Sequence, residues 1–310
     1  MMSANINRSA TGLNVQINLE QNVPVMPAEE LRSFVRRFVD RRSEYLDILE
    51  GCPPPLYVLE QSVLMEKSSR LQAAFRDCLP DVGFYYAVKS NNHPEISRIL
   101  LQTGMGLDVS SGLELEMALA LGARDVVFSG PGKTDQELQL AAQNADRVTI
   151  LIDSFGELTR LQQICAGAGR AVKVGVRLTT NPNGLWRKFG ILPEQLAHFW
   201  ERVQECANLR FQGLQFHTSW NLSPAAQIDF IRHLGGILDG LPAAALDQIR
   251  FIDIGGGYWP PQGEWLQAAG TSVGKLKMNL GQDPGTPHEH YRLPSCAIEV
   301  FARRISDAVR

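Results

Sequence analysis

The sequence predicts an α/β fold, a (β/α)8 barrel of which seven strands are recognisable. Strand-like apolar runs alternate with helix-like stretches from residue 84 onward, and this alternation indicates parallel strands joined by helical crossovers. The polar residues at the ends of the runs are the second observation. The seven runs are Phe84–Lys89, Gly106–Ser110, Asp125–Ser129, Arg147–Asp153, Val172–Leu178, Phe211–Thr218 and Arg250–Ile254.

The alternation alone fits either a barrel or an open doubly wound sheet, and the polar strand ends favour the barrel. In a barrel the carboxyl ends of all strands converge on one mouth. An open sheet would bring such residues together only at its switch point. The polar residues at or near the strand ends are Lys89, Asp108, Ser129, Asp153, Arg177, His217 and Asp253.

We divide the chain into an N-terminal extension, residues 1–54, and a barrel domain, residues 55–310. The extension contains a lone strand candidate at Leu13–Leu19 and an amphipathic helix region within residues 29–50. Leu56–Leu59 reads as a short strand after a proline-rich break, and residues 61–78 read as a helix. The capping-box pattern at Thr134–Glu137 predicts the start of another helix.

Composition limits the partners and the compartment. The 310 residues are 44% hydrophobic and 20% charged, with a net charge of −3, as in ordinary soluble globular proteins. The mild acidity gives no reason to expect nucleic acid or a membrane surface as a partner. Five widely spaced cysteines without a Cys-x-x-Cys pair fit reduced thiols. With no apolar segment near the start, these features predict a cytoplasmic protein.

Lys89 ends a buried-strand pattern, and two interpretations of it remain open. Partial desolvation at a strand end would lower the pKa of the amine and make it available for a Schiff base. Alternatively, the side chain extends into solvent, as most lysines do. A similar choice applies to Gly255, Gly256 and Gly257, which follow a strand. Their backbone amides could bind a phosphate, or the segment could be a flexible turn.

Other motifs are weaker. Gly130–Thr134 resembles the end of a P-loop, but Val127 stands where that motif needs glycine, which excludes a nucleotide triphosphatase. His217 could stack on a planar cofactor, act in acid/base chemistry or be a core histidine. Arg177 in a barrel mouth needs an anionic partner, for which Asp108 is a candidate.

No metal site is predicted from the histidines. His288 and His290 flank Glu289, and no third ligand stands at metal-binding spacing. We therefore expect both histidines to be solvated residues of a loop.

Taken in order, the motifs resemble the fold type III decarboxylases that depend on pyridoxal 5'-phosphate (PLP), a family that includes diaminopimelate, ornithine and arginine decarboxylases. The family shares its barrel with alanine racemase. The resemblance extends over residues 55–260 and implies decarboxylation of an amino acid, with a basic or diaminopimelate-like substrate. The motifs that carry it are Ala87–Asn91, Gly106–Ser111 with Glu114, Ser129–Thr134, Arg177, Lys188–Gly190 and Asp253–Gly257.

The resemblance also implies roles for single residues. Lys89 would hold PLP as a Schiff base, and His217 would stack on its ring. The glycines Gly255, Gly256 and Gly257 would bind the phosphate. Support under the lysine and the ring would come from Asp108, Glu114 and Arg177.

One departure concerns the phosphate-binding serine. The family usually has Val-Gly-Ser after its histidine, whereas this chain has Thr218-Ser219-Trp220. Either Thr218 or Ser219 replaces the family serine, or the phosphate site is remodelled.

A second departure concerns the eighth strand and the β domain that follow in the family, which supply an acid for the pyridine nitrogen and residues across a dimer interface. This chain stops at Arg310, before that point. We therefore expect a homodimer, or a hetero-oligomer with a chain that completes the barrel, and poor activity of the isolated chain. The alternatives are a non-catalytic PLP-barrel subunit and an amino-acid racemase.

Overall fold

The computed structural model describes residues 4–9, 12–17, 23–181, 183–184, 187–285 and 289–310. These residues form two compact units. The smaller comprises the described residues of Met1–Leu59 and Trp259–Ser295, and the larger those of Glu60–Tyr258 and Cys296–Arg310. The predicted division between residues 54 and 55 stays a prediction.

In the smaller unit, the predicted lone strand overlaps β2, which pairs with β1 in an antiparallel hairpin. The predicted helix region is divided into two helices, α1 and α2. Strands β10 and β11 form a second antiparallel pair. Tyr291, on β11, also forms an isolated antiparallel bridge with Val25. Helix α1 belongs to the same unit, and Phe34 packs edge-on against Trp265 at 5.0 Å. The elements are β1 (Ala4–Ser9), β2 (Gly12–Ile17), α1 (Ala28–Val39), α2 (Arg42–Gly51), β10 (Glu264–Gln267), α11 (Ser272–Asn279) and β11 (His290–Leu293).

The larger unit contains the seven predicted parallel strands, paired in chain order. This confirms the predicted fold class, a TIM-type barrel with seven strands. In the described residues, β3 and β9 are the edge strands and each pairs on one side. The strands are β3 (Tyr85–Ala87), β4 (Gly106–Val109), β5 (Val126–Phe128), β6 (Val148–Ile152), β7 (Val172–Leu178), β8 (Leu209–Phe216) and β9 (Phe251–Asp253).

Helices follow the strands and begin at capping residues. The predicted capping box is present, since Thr134 and Glu137 cap each other's backbone amides. At the starts of α5 and α7, the Ser111 and Ser154 hydroxyls each accept one backbone N–H, from Glu114 and Glu157. The helices are α3 (Gln61–Arg76), α4 (Pro94–Gln102), α5 (Gly112–Ala120), α6 (Asp135–Gln143), α7 (Phe155–Ala168), α8 (Leu196–Gln204), α9 (Ala225–Leu238), α10 (Ala243–Leu246) and α12 (Ile298–Val309).

The strands alternate between a face covered by helices and a face that lines the barrel interior. Side chains such as Phe128 and Ile150 are completely buried on the helical side. On the inner side, aromatic rings lie over glycines. A Cβ added to Gly213 would come within 2.4 Å of the Phe251 ring. This pairing of glycine with a large ring fills the lower part of the barrel.

Helix α12 continues the helical layer beyond α9. It packs between α3 and α9, where Phe301 joins Phe75 and Ile228 in one apolar cluster. An ion pair between Arg70 and Glu299, at 2.8 Å, links α3 and α12 at the surface. In the described residues, no helix is long and apolar enough to cross a lipid bilayer.

Two local expectations were wrong. Leu56–Leu59 is not a strand, because no neighbouring strand supplies hydrogen bonds to it in the described structure. His290 begins strand β11, so it is not part of a loop. His288 and part of the predicted segment Leu13–Leu19 lie outside the described residues.

Candidate active site

The carboxyl ends of the parallel strands place the predicted site residues on one side of the sheet. Lys89 lies in a single 3-10 turn, Val88–Ser90, directly after β3. His217 directly follows β8, and Asp253 is the last residue of β9. The positive charges of Lys89 and Arg177 both lower the pKa of His217, so the three side chains are close enough to interact across the sheet. The structure therefore brings together residues that are up to 164 positions apart in the sequence.

Lys89 is exposed, which agrees with the second of the two interpretations left open for it, extension into solvent, and not with partial desolvation. The turn that carries it is held by its neighbours. The Ser90 hydroxyl donates to the Ala87 carbonyl oxygen at 2.7 Å, and the Tyr86 hydroxyl donates to the Asn91 carbonyl oxygen at 3.0 Å. Because β3 ends at Ala87, the lysine points from the rim of the barrel instead of from its packed interior. Its amine is accessible to a ligand without rearrangement of the strand.

Two carboxylic acids lie in the interior beneath this rim. Burial raises the pKa of Asp108, although a hydrogen bond with Ser129 and the charge of Lys89 oppose the effect. Its Oδ1 atom is buried and has no hydrogen-bond partner among the described residues. Burial also raises the pKa of Asp253, to about 6. The Asp253 Oδ1 atom accepts the backbone N–H of Gly255 at 2.8 Å.

His217 is neutral at physiological pH. Burial, followed by the positive charges of Lys89 and Arg177, lowers its pKa to about 4. Its Nε2 atom lies 3.4 Å from the Ser219 hydroxyl. A neutral imidazole has one donor and one acceptor nitrogen, so it can contact a planar ligand without adding charge.

Arg177 pairs with Asp153, not with Asp108 as expected. The guanidinium and the carboxylate are 3.8 Å apart, with Asp153 directly after β6 and Arg177 on the neighbouring strand β7. Asp108 lies on β4, so two strands separate it from Arg177. Arg177 also lies over the Phe189 ring, 4.8 Å from its centroid, and Asp153 accepts the Gly190 backbone N–H at 3.0 Å. Asp153 thus joins the arginine to the Lys188–Gly190 motif.

Glu114 is directed towards the loop after β4. Its carboxylate accepts the Ser110 backbone N–H at 2.7 Å, and its negative charge raises the pKa of Asp108. A role as support for a bound ring stays a prediction. The observed contact orders the loop that begins α5.

The glycine segment after β9 lies against the turn after β8. Gly255 and Gly257 have φ values of +70° and +78°, which residues with a Cβ rarely adopt. A Cβ on Gly255 would lie 2.8 Å from His217 Nδ1. Gly256, by contrast, has open space where a Cβ would stand. Gly255 therefore serves close packing, while Gly256 borders free space.

The Gly130–Thr134 motif has a packing role. A Cβ on Gly130 would lie 2.0 Å from the Ser110 carbonyl oxygen, so the loops after β4 and β5 touch at this glycine. Lys133 is buried and bonds to Glu157 and to the Leu151 carbonyl oxygen at 2.8 and 2.7 Å. The motif thus ties β5, β6 and α7 together, and Lys133 is already paired.

The structure contains a cavity of about 410 Å³ elsewhere, near the amino ends of β3, β4 and β5. Tyr85 lines it and donates a hydrogen bond to Asp125 at 2.6 Å. Since barrel enzymes place their chemistry at the carboxyl ends of the strands, we locate the candidate site at the opposite end. A small cavity of about 10 Å³ there is bordered by Arg177, Phe189 and His217.

Comparison with known proteins identifies the family. A family model described as pyridoxal-dependent decarboxylase, pyridoxal binding domain, matches residues 65–270. The chain belongs to this family. The match confirms the predicted family and, since the family is pyridoxal-dependent, its cofactor.

Curated relatives include diaminopimelate decarboxylases of Neisseria meningitidis serogroup A, 29% identical over 262 residues, and Vibrio cholerae, 33% identical over 228 residues. The alignments cover 78% and 68% of this chain, and 64% and 53% of the relatives. The chain thus spans less than two thirds of the length of each.

Solved structures share the fold. Diaminopimelate decarboxylase from Helicobacter pylori, complexed with L-lysine, has a TM-score of 0.67 at 20% identity, covering 86% of this chain and 62% of that one. Lysine/ornithine decarboxylase from Vibrio vulnificus, complexed with putrescine, has a TM-score of 0.60 at 24% identity, covering 92% and 64%. At these identities the likeness concerns the fold alone.

The opposite pKa shifts of His217 and Asp253 predict a compensated pH dependence of stability. Between about pH 4 and 6.5 the unfolded chain protonates His217 more than the folded chain does, so this residue makes the unfolding free energy rise with pH. Asp253 binds its proton more tightly in the folded chain than in the unfolded chain. It therefore makes the unfolding free energy decrease as the pH rises from about 3.8, the ordinary pKa of aspartate, to about 6. Each effect amounts to at most about 3 kcal/mol.

We expect the His217→Gln variant to lose stability as the pH rises through this window, and the Asp253→Asn variant to gain it. The slope of the unfolding free energy against pH should, in the wild type, lie between the slopes of the two variants. Urea unfolding of the cofactor-free chain at several pH values measures the slopes. Slopes of the same sign in both variants would contradict the assignment.

Proposed function

We propose that this chain binds PLP covalently through Lys89 and forms the cofactor-binding part of an amino-acid decarboxylase. The observation that carries the proposal is the convergence of an accessible lysine, a neutral histidine and a glycine segment at one end of a barrel. Membership of the pyridoxal-dependent decarboxylase family supports it. The substrate class proposed is a basic or diaminopimelate-like amino acid, because the relatives are named as diaminopimelate, lysine/ornithine and arginine decarboxylases.

The residues fit the cofactor. Gly256 borders open space, and the backbone amides of Gly256 and Gly257 donate to no described residue, so both can bind a phosphate. The Gly255 amide is already used by Asp253. The orphaned Oδ1 atom of Asp108 can accept a donor brought by a ligand.

Each residue then has a task that follows from its charge and position. Lys89 supplies the amine that reacts with the cofactor aldehyde. His217 presents a neutral ring to the pyridine. Arg177 keeps a positive charge near the site, moderated by Asp153. Asp253 can hold a proton on Oδ2 near pH 6, since its Oδ1 accepts the Gly255 amide. Bound PLP supplies an electron sink that stabilises the carbanion left when the substrate carboxylate departs as carbon dioxide.

We further propose a cytoplasmic protein that acts as a homodimer or with a chain that pairs with the edge strands. In the described residues β3 and β9 each have one free edge, and such edges favour pairing with another strand. Size measurement by light scattering at several protein concentrations tests the assembly.

Release of carbon dioxide tests the activity. We expect the PLP-loaded chain, with any partner that co-purifies, to release carbon dioxide from one of diaminopimelate, lysine, ornithine or arginine. Chiral analysis of the recovered amino acid separates this reaction from racemisation. Bound PLP without turnover of any of these substrates would favour the non-catalytic subunit instead. Absence of PLP binding would refute both interpretations.

A further inference from the structure

Two loops meet at the proposed phosphate site: the turn Thr218–Leu222 after β8 and the segment Gly255–Tyr258 after β9. They are joined by backbone hydrogen bonding, since the Asn221 N–H donates to the Gly257 carbonyl oxygen at 3.2 Å. A parallel bridge pairs Asn221 with Tyr258. The contact extends the pairing of β8 with β9 beyond the ends of the strands.

The Asn221 side chain fastens the two loops together. It is 3% exposed. Its Nδ2 atom donates to the Gly256 carbonyl oxygen at 2.6 Å and to the Thr218 carbonyl oxygen at 3.1 Å. Its Oδ1 atom lies 2.9 Å from the Thr218 hydroxyl. An amide has two N–H donors and an oxygen that only accepts, so both donors are used and Thr218 must donate.

The backbone of the turn is strained at Trp220, directly before Asn221. Trp220 has a φ of 60°, and among the described residues it is the only one other than glycine with a positive φ. Its side chain is 69% exposed. Strain of this kind is concentrated at functional sites. The left-handed turn directs Asn221 inward, where it reaches Gly256.

The hydroxyls of Thr218 and Ser219 consequently differ in whether their O–H can donate to a phosphate. The Thr218 proton is committed to Asn221, so that hydroxyl has none left for a phosphate. The Ser219 hydroxyl faces His217, 3.4 Å from Nε2. In the tautomer of His217 that carries its proton on Nε2, this N–H donates a hydrogen bond to the Ser219 oxygen, and the O–H of Ser219 remains available as a donor.

We propose that Asn221 is a positioning residue that holds Gly256 and Gly257 with their amides free for the phosphate of PLP, and that Ser219, not Thr218, supplies the hydroxyl donor. The inference rests on the proposed function. Under this proposal Ser219 takes the place of the family serine.

The test compares affinity for PLP with affinity for pyridoxal, which lacks the phosphate. Asn221→Asp keeps the acceptor for Thr218 and removes both donors, to the carbonyl oxygens of Gly256 and Thr218. We expect it to lower the ratio of PLP to pyridoxal affinity by at least about tenfold, the effect of losing a buried hydrogen bond. Ser219→Ala should lower the ratio by at least as much, whereas Thr218→Val should change it by less than about twofold. Absorbance titration of the 310-residue chain measures each affinity.

Asn279→Asp, an exposed change in α11, is the matched control and should leave the ratio unchanged. Circular dichroism establishes that each variant is folded. If Asn221→Asp does not fold, Ser219→Ala and Thr218→Val decide the second half of the proposal. The first half is then decided by hydrogen exchange, in an Asn221→Ser variant, at the backbone amide of position 221, which donates to the Gly257 carbonyl oxygen. Faster exchange there is the expected result.

An unchanged ratio in a folded Asn221→Asp protein would overturn the positioning role. An equal loss in Thr218→Val and Ser219→Ala would overturn the hydroxyl assignment. A wild-type chain that binds PLP no more tightly than pyridoxal would instead show that the proposed phosphate site itself is wrong.

Discussion

Replacing Lys89 with alanine is expected to abolish covalent attachment of PLP and to lower decarboxylation by at least about 10³-fold. The lysine is exposed at the end of β3, and the described lysine with the deepest burial, Lys133, is already paired with Glu157. We therefore expect no other described lysine to replace it. The wild type with PLP should show an absorbance band at about 420 nm from the lysine-bound cofactor, and the variant should not.

Borohydride reduction followed by peptide mapping locates the attachment site independently of activity. Lys67→Ala, an exposed change on α3, is the control and should retain the band. A pyridoxyl group found on a different lysine would refute the assignment of Lys89. No band in either protein would refute covalent PLP binding by this chain.

Replacing Gly130 with alanine is expected to destabilise the fold by at least about 3 kcal/mol. The added Cβ would lie 2.0 Å from the Ser110 carbonyl oxygen, a backbone atom that cannot move aside as a flexible side chain can. The loops after β4 and β5 would separate and disturb Lys133, which is buried with Glu157. Thermal unfolding measures the change, and we expect a Tm at least about 6 °C lower.

Gly236→Ala is the matched control. Gly236 lies within α9 and has open space around its Cβ position, so alanine should stabilise the helix by up to about 1 kcal/mol. A Gly130→Ala protein as stable as the wild type would mean that the two loops are not in close contact in solution.

The strand–helix alternation was sufficient to predict the seven parallel strands, because apolar runs of strand length and helix caps are local signals. Lys89, His217 and Asp253 could be predicted as neighbours from the same pattern, since parallel strands end on one side. The ion-pair partner of Arg177 could not be predicted in this way, because it depends on which strand lies beside β7. The sequence was compatible with Asp108, whereas the strand order places Asp153 next to the arginine.

By itself the sequence determined the fold class, the family motifs and the residues at the strand ends, because periodicity and capping act over a few neighbouring positions. The tertiary structure decided which polar atoms are committed to one another. Asn221 carried no signal in the sequence, yet its side chain bonds to Thr218 within its own turn and to Gly256 in the neighbouring loop, and so links the two. Likewise, Gly255 gives its amide to Asp253 while Gly256 faces open space. Such assignments depend on distances between residues remote in the chain, and packing alone sets those distances.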